Sequence, residues 1–449
     1  MKLLVANRGE IAVRVIRTAR EMGIPTVAIY STADADALAP ELADEAVCVG
    51  PAIARDSYLD IRNVIGAAEV TGCTAVHPGY GFLSENADFA RACADNDLTF
   101  VGPSPDVMER MGDKVSAKRA AIEAGLPVLG GSEGAVSSVE LAIEAAASAG
   151  YPVLLKAAAG GGGRGMRRVE TPEELPGAFE VAQREAEAAF SDGSLYVERL
   201  LEGARHVEVQ IMADAMGGVL ICGDRECSIQ RRHQKLIEEA SAPHLPDATR
   251  DRMHEVCLNA ARAWGYTSAG TMEFLVDSEG NFFFLELNAR LQVEHPVTEL
   301  VTGLDLVAEQ LRVAAGELLS QTGRAEARGH AIECRINAED PAHDFRPGAG
   351  RLTEFRMPGG PGIRVDTHCR SGSVVPPQYD SLMAKLCVWA KDRPSAVKRM
   401  ARALDETVVT GVPTTIPLLA EIMTEPQFLS GRYSTTYLTE HADLRSLSR

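Results

Sequence analysis

The sequence predicts a multidomain protein of mixed class, α/β at its amino terminus and α+β beyond it. Three patterns carry that reading. Residues 2–6 are a short apolar run, residues 11–22 set Ile11, Val15, Ile16 and Ala19 on one helical face, and residues 26–30 return to an apolar run. This is a βαβ unit, which implies a parallel sheet covered by helices. Residues 129–200 are rich in Ala, Gly and Glu and poor in large apolar groups, which suggests a small, mobile lid. Residues 201–449 open with strand-like runs and close with helical patterns near 395–404 and 415–423.

Taken in order, Asn7-Arg8-Gly9-Glu10 is a turn and Gly23 fits a helix C-terminal cap. Further strands are expected at 46–49, 75–76 and 99–101, so residues 1–101 form one domain. Residues 102–128 read as a linker with one helix, Gly112-Asp113-Lys114 near its start and Gly125-Leu126-Pro127 after its end. The block 129–200 holds a helix at 139–149, a strand at 153–156, a glycine loop, a strand at 166–169 and another helix. Thr171-Pro172-Glu173-Glu174 opens that last helix as a capping box with proline at the first helical position.

Composition narrows the function classes. A chain of 449 residues suggests two to four domains, and 45% hydrophobic residues suffice for full cores. A net charge of −18 argues against a general nucleic-acid or anionic-membrane binder, though not against a local basic pocket. Arg8 and Glu10 precede any long apolar run, so no signal peptide is expected, and no stretch reaches the roughly 18 apolar residues that span a bilayer. The nine cysteines are scattered without a CxxC pair; the nearest two, Cys222 and Cys227, lack a second pair for zinc. They read as reduced thiols of a cytoplasmic protein.

Three motifs carry chemistry. The first is the loop 157–166, which follows Lys156 at the end of a strand and contains Gly160 to Gly163 and Gly165. Glycines let the backbone approach phosphate and point N–H groups at it. The GxGxxG match lacks the following helix of a dinucleotide fold, and no Gly-Lys-Ser/Thr marks a P-loop. A strand–turn–strand flap over phosphates remains, with Lys156 as a nearby charge.

The second is the run 285–294, which alternates without a break; extended, it puts Glu286, Asn288, Arg290, Gln292 and Glu294 on one face. A solvated amphipathic strand would show the same alternation, but two details weigh against it. The turn at 278–281 sets Glu273 across from Glu286, and facing like charges destabilise a sheet unless a cation lies between them. Two carboxylates and the Asn288 amide oxygen suit magnesium bound with nucleotide phosphates. The face then continues with a cation, an amide and a further acid. Glu286 and Glu294 would stand roughly 26 Å apart if extended, so the metal end and an anionic-substrate end are expected to be separate. The third motif, Gln230-Arg-Arg-His-Gln-Lys235, gathers Arg231, Arg232, His233 and Lys235 into an expected site for phosphate or bicarbonate.

With Asn7 to Ala12, His77 to Asn86 (His-Pro-Gly-Tyr-Gly-Phe-Leu-Ser-Glu-Asn), Gly112-Asp113-Lys114, the run from Glu286 to Pro296 and Glu333 to Glu339, these motifs in this order resemble the biotin carboxylase family of the ATP-grasp superfamily, from residue 2 to about 440. The resemblance implies an N-terminal Rossmann-like parallel-sheet domain, an ATP-grasp lid (129–200) and core, and a C-terminal mixed β-rich domain, the last two within 201–449. It implies that Lys114 and Lys156 neutralise ATP phosphates under Gly162 and Gly163. Glu198, Arg199, Leu200 and Leu201 would hold the adenine edge, His206 the ribose, and Gln230 and His233 would lie near the nucleotide. Glu273, Glu286 and Asn288 would hold Mg2+, or Mn2+ in its place. Lys235, Arg290, Gln292 and the Val293 backbone would bind bicarbonate with Glu294 as base. Arg335 would face the biotin ureido oxygen, with Tyr80 and Glu85 also at the substrate. Arg199 departs from the lysine common in the family, and the tail Tyr433 to Tyr437 also departs from its usual form.

The implied reaction phosphorylates bicarbonate with ATP to carboxyphosphate, which then carboxylates biotin N1, the first half-reaction of acetyl-CoA carboxylase or a similar enzyme of fatty acid biosynthesis. The chain has no Ala-Met-Lys-Met attachment site and no room for a carboxyltransferase domain. The expected partners are therefore a separate biotin carboxyl carrier protein and carboxyltransferase subunits; the family also implies a homodimer. Two other readings stay open: another ATP-grasp ligase, such as a carbamoyl-phosphate or purine-pathway enzyme, and a non-catalytic nucleotide-binding subunit.

Overall fold

The computed structural model describes residues 1–132, 134–158, 166–190, 192–232, 234–441 and 443. The mixed class predicted from the sequence holds. Five parallel strands form the first sheet, in the spatial order Glu45–Gly50, Thr26–Ser31, Leu3–Val5, Ala75–His77, Thr99–Phe100. The helix Gly9–Glu21 packs Ile11, Val15, Ile16 and Ala19 into the core, as its period predicts. The loop after Ala75–His77 is pinned by the Asn7 amide, which donates to the Pro78 and Tyr80 carbonyls at 2.6 and 2.8 Å. A Cβ on Gly79 would lie 3.0 Å from both Asn7 Nδ2 and Ile11, and its φ is +63°, so only glycine fits this turn.

The expected single helix of the linker is two, Pro105–Gly112 and Lys114–Glu123. Asp113 breaks them by leaving helical geometry (ψ 118°) and capping the second through Ser116 N. Next comes a three-stranded sheet, Met166–Val169, Val153–Ala157, Leu195–Arg199, with the helices Val139–Ala149 and Leu175–Phe190 packed around a core of their own. The second helix begins at Leu175, three residues later than the capping box predicts. Residues 172–174 form a turn, and Glu174 accepts from the N–H of Glu170 rather than of Thr171.

A nine-stranded sheet fills the rest. Its path runs Phe282–Asn288, Ser268–Val276, Arg205–Ala213, Val219–Arg231, Gln234–Ala240, His330–Asn337, Leu382–Ala390, Ile363–Thr367, antiparallel throughout, with Gly323–Arg324 beside Val219–Arg231. The helices expected near 395–404 and 415–423 are Arg393–Glu406 and Ile416–Ile422. Among the described residues, no helix is long and apolar enough to cross a membrane.

Candidate active site

The site grows from the large sheet. Glu286, Glu273, Glu208 and Arg225 are successive register partners on four neighbouring strands, forming one cross-strand row. The expected pairing of Glu273 with Glu286 is present, but a β-bulge produces it. The hairpin closes with Val276 opposite Phe282 and Phe274 opposite Phe284, and the register shifts by one before Glu273 meets Glu286. Without that shift Glu286 would share the face of Phe282 and Phe284, which lie in the core together with Leu287. The extra residue turns Glu286 to the opposite side.

Three adjacent acids would destabilise a sheet on their own. Lys235, reaching over from the next strand pair, offsets them. Its Nζ donates to Glu208 at 2.6 Å, Glu273 at 2.9 Å and Glu294 at 2.6 Å. Arg225, with no exposed surface, pairs with Glu208 at 2.5 Å. Burial pulls the Lys235 ammonium down, but Glu208, Glu273 and Glu294 outweigh it and hold it well above its ordinary value. Burial pushes the Glu273 carboxyl up, yet Lys235 and then His206 keep it well below the usual range. Glu286 behaves oppositely: loss of hydration and then the charge of Glu273 push it up.

The run 285–294 is not one strand. It ends at Asn288, turns at Arg290, and Glu294 becomes the N-cap position of the helix His295–Thr302, with Pro296 in its first turn. Proline at that position starts helices and cannot continue a ladder. The expected separation of roughly 26 Å between the two ends therefore does not arise, and one ammonium contacts both Glu273 and Glu294. Glu85, from the loop of the first domain, holds the turn: it accepts from Ala289 N at 3.0 Å and Arg290 Nε at 2.8 Å. Arg290 also donates to Gln292 and to the Asn288 amide oxygen, each at 3.0 Å. Asn288 and Gln292 donate to Glu273 at 2.9 and 3.4 Å.

Glu294 has no exposed surface. Besides Lys235 it accepts from Arg335 Nη2 at 2.9 Å. Burial pushes its carboxyl up; Lys235, Arg335 and Arg225 outweigh that and hold it well below the usual range. The Val293 carbonyl accepts from Lys385 at 2.9 Å, and Lys385, fully buried, pairs with Glu10 at 3.0 Å. Tyr80 donates to that same Glu10, so it lies behind the turn through Glu10 and Lys385.

In the small sheet, Lys156 pairs with Glu198 of the neighbouring strand. Burial and then the charge of Lys156 push both Lys114 and Lys118 down, so three lysines gather by Glu198. The Arg199 and Leu200 N–H groups donate to the Gly130 and Pro152 carbonyls at 2.8 and 2.9 Å. His206 Nε2 stands 2.8 Å from Glu273 Oε2, beside the acid pair. Gln230 is the register partner of Lys235. Gly162, Gly163 and His233 lie outside the described residues.

The basic cluster divides. Arg231 and Arg232 turn away to Asp344 at 2.8 and 2.9 Å, and Arg231 stacks on Phe345. Lys235 alone of the described cations there points into the cleft. Arg231 pairs with Gln234 and Gln230 with Lys235, so strand alternation sets Arg231 and Lys235 on opposite faces. The donors at Glu273, Glu286 and Asn288 are hard oxygens, and the mutual repulsion that raises Glu286 is what a divalent cation relieves; they fit magnesium. Asn288 would then exchange Arg290 for the ion at its amide oxygen.

Sequence reasoning missed Glu208, Arg225, Glu238, Lys118 and Lys385. Two had a signal. His206, Glu208 and Gln210 alternate with valine and isoleucine, and Lys385 is a lone charge in the apolar strand Leu382–Ala390.

Three family models match the chain: "Biotin carboxylase, N-terminal domain" over residues 1–108, "Carbamoyl-phosphate synthase L chain, ATP binding domain" over 113–322, and "Biotin carboxylase C-terminal domain" over 333–440. The chain is 53% identical over 440 residues to the biotin carboxylase of a Nostoc species, covering 98% of each. Its structure is similar to a biotin carboxylase–β,γ-ATP complex from Campylobacter jejuni, with TM-score 0.94 and 47% identity over 98% of each chain. It is equally similar to the biotin carboxylase domain dimer of Hydrogenobacter thermophilus 2-oxoglutarate carboxylase with MgADP, ADP and bicarbonate: TM-score 0.94, 47% identity, covering 100% of this chain and 99% of that one.

Proposed function

The chain belongs to the biotin carboxylase family of ATP-grasp ligases, and from that premise we propose which residues carry its ATP-dependent carboxylation of biotin, and for which partners. The observation that supports the assignment most is the placement of Glu294 between Lys235 and Arg335, next to the Glu273–Glu286 pair.

Lys114, Lys156 and Lys118 offset the phosphate charge of ATP, and the backbone near Leu201 receives the adenine edge. Glu273, Glu286 and Asn288 would hold Mg2+, or Mn2+ in its place, and an ion held there would supply positive charge to the transferring phosphoryl group. Bicarbonate enters beside Arg290, Gln292, the Val293 backbone and Lys235. An anion there draws on the cations that now depress Glu294 and so raises its proton affinity. Glu294 can then take the bicarbonate proton as a bicarbonate oxygen bonds to the γ-phosphorus of ATP, whose bond to the β-phosphate oxygen breaks, giving carboxyphosphate and ADP. Carboxyphosphate then breaks its bond from carbon to the phosphate oxygen, the released phosphate takes the biotin N1 proton and N1 takes the carboxyl, while Arg335 stabilises the negative oxygen that develops on the ureido group. Glu85 and Tyr80 keep this surface in place through Arg290 and Glu10.

The biotin is carried by a separate biotin carboxyl carrier protein, and a carboxyltransferase subunit passes the carboxyl on, to acetyl-CoA for fatty acid biosynthesis. The likeness to a 2-oxoglutarate carboxylase domain favours a 2-oxo acid as the second reading of the acceptor. A homodimer is proposed on the likeness to that dimer. Nine cysteines without a disulfide suit a reducing compartment such as the cytoplasm. Phosphate release and carboxybiotin formation, measured with and without bicarbonate and biotin, test the reading. ATP hydrolysis indifferent to both would refute it.

A further inference from the structure

Arg335 is clamped between two acids. Its Nε lies 2.6 Å from Glu238 Oε1, and its Nη2 lies 2.5 Å from that oxygen and 2.9 Å from Glu294 Oε2. Glu238 is fully buried, and so is Glu333, its register partner on the next strand. Each keeps one buried oxygen without a partner, Oε2 of Glu238 and Oε1 of Glu333; the other Glu333 oxygen accepts from the Cys387 thiol at 3.3 Å.

Two facing buried carboxyls do not both ionise at little cost. Of these two carboxyls Arg335 bonds Glu238 and not Glu333, so the charge belongs on Glu238 and the proton on Glu333. Burial pushes Glu333 well up, and Lys385 only partly opposes it. Burial also pushes Glu238 up, against Arg335, to about 7. The groups that face Glu238 are Lys235 on its own strand, Cys227 on the strand before, Glu333 and Arg335 across the ladder, and Glu294 from the turn above; Lys385 acts one strand further on.

We propose that Glu238 is a positioning residue: as a carboxylate it shares Arg335 with Glu294, and its protonation leaves Arg335 to Glu294 alone. This rests on Glu294 being the base. With Glu238 ionised, Arg335 divides its charge between two acids, Glu294 keeps more of its proton affinity, and the guanidinium stays aimed at biotin. With Glu238 neutral, Arg335 pairs with Glu294 alone and makes it a weaker base. Turnover therefore rises with pH as Glu238 ionises.

The test is the pH profile of bicarbonate-dependent carboxylation of free biotin by the full chain at saturating Mg-ATP. The parent is expected to show an acid limb near pH 7. Glu238→Gln should lose that limb and lower kcat roughly 10- to 100-fold, with the KM for ATP unchanged. Glu238→Asp, with an intrinsic pKa about 0.4 lower, should recover part of kcat and move the limb down. Glu333→Gln, which fixes the neutral state, should keep the limb. A Gln variant with parental limb and kcat overturns the proposal. If that variant does not fold, an Asp variant whose limb stays put overturns it equally. Glu294→Gln, assayed alongside, separates the two ideas: normal turnover there removes the base reading by itself.

Discussion

Lys235 donates to Glu294 at 2.6 Å, and the carboxylate it meets has no exposed surface. The contact keeps Glu294 ionised before substrate arrives, as a base requires. Glu294→Gln removes the proton acceptor and keeps the shape, though its single amide oxygen can accept from only one of Lys235 and Arg335. Bicarbonate-dependent turnover should fall by about 10²- to 10⁴-fold, while ATP binding persists. Phosphate-release kinetics and nucleotide titration separate the two, and normal biotin carboxylation by the variant would remove Glu294 from its role.

Glu286 faces Glu273 across the hairpin, and its carboxyl is pushed up by lost hydration and by that neighbour. Glu286→Gln relieves repulsion in the free protein while deleting a hard ligand. The variant should be at least as stable as the parent, yet need about tenfold more magnesium for half-maximal turnover. An unchanged magnesium curve would put the ion elsewhere.

Lys385 is fully buried among Glu10, Asp366 and the Val293 carbonyl. Lys385→Met fills similar space but strands two acids. Urea unfolding should show a loss of about 3–5 kcal/mol, and the KM for bicarbonate should rise because the Val293 backbone loses its support. A variant of parental stability would mean that the acids are protonated in the native state.

Glu239 is the acid-sensitive tie in the C-terminal part. Burial pushes its carboxyl up, but His330 and Arg393 outweigh this and hold it at about 2 against an ordinary 4.5. A depressed acid contributes its full stabilisation above the unfolded pKa and loses it as pH falls through the folded one. The window is therefore about pH 4.5 down to 2, and the contribution is at most about 3 kcal/mol. The stability difference between the parent and Glu239→Gln should shrink from about pH 5 to pH 3 in chemical denaturation. A flat difference contradicts the assignment.

Much of this was legible in the residues alone. The motif order from Asn7 to Glu339 identifies the family, because glycine loops, paired acids and strand-end lysines meet chemical requirements that few other spacings satisfy. The acid pair could be anticipated because a hairpin is local, although the pairing of Glu273 with Glu286 comes from a bulge rather than from a symmetric four-residue turn. The βαβ start was legible for the same reason, since hydrophobic period and capping act over a few residues.

What the tertiary structure decided lies beyond that range. Alternation in the run 285–294 is equally consistent with a strand and with a strand, turn and helix start, and only the packing of Glu85 on Ala289 and Arg290 selects the second. The bulge that turns Glu286 away from the core depends on where Phe282, Phe284 and Leu287 pack. Arg231 and Arg232 follow Asp344, more than a hundred residues away, while Lys235 alone of the described cations there enters the cleft. Glu208, Glu238 and Lys385 gain meaning only because strands distant in sequence become neighbours. A buried charge is stable only beside its partner, and the chain order does not name that partner.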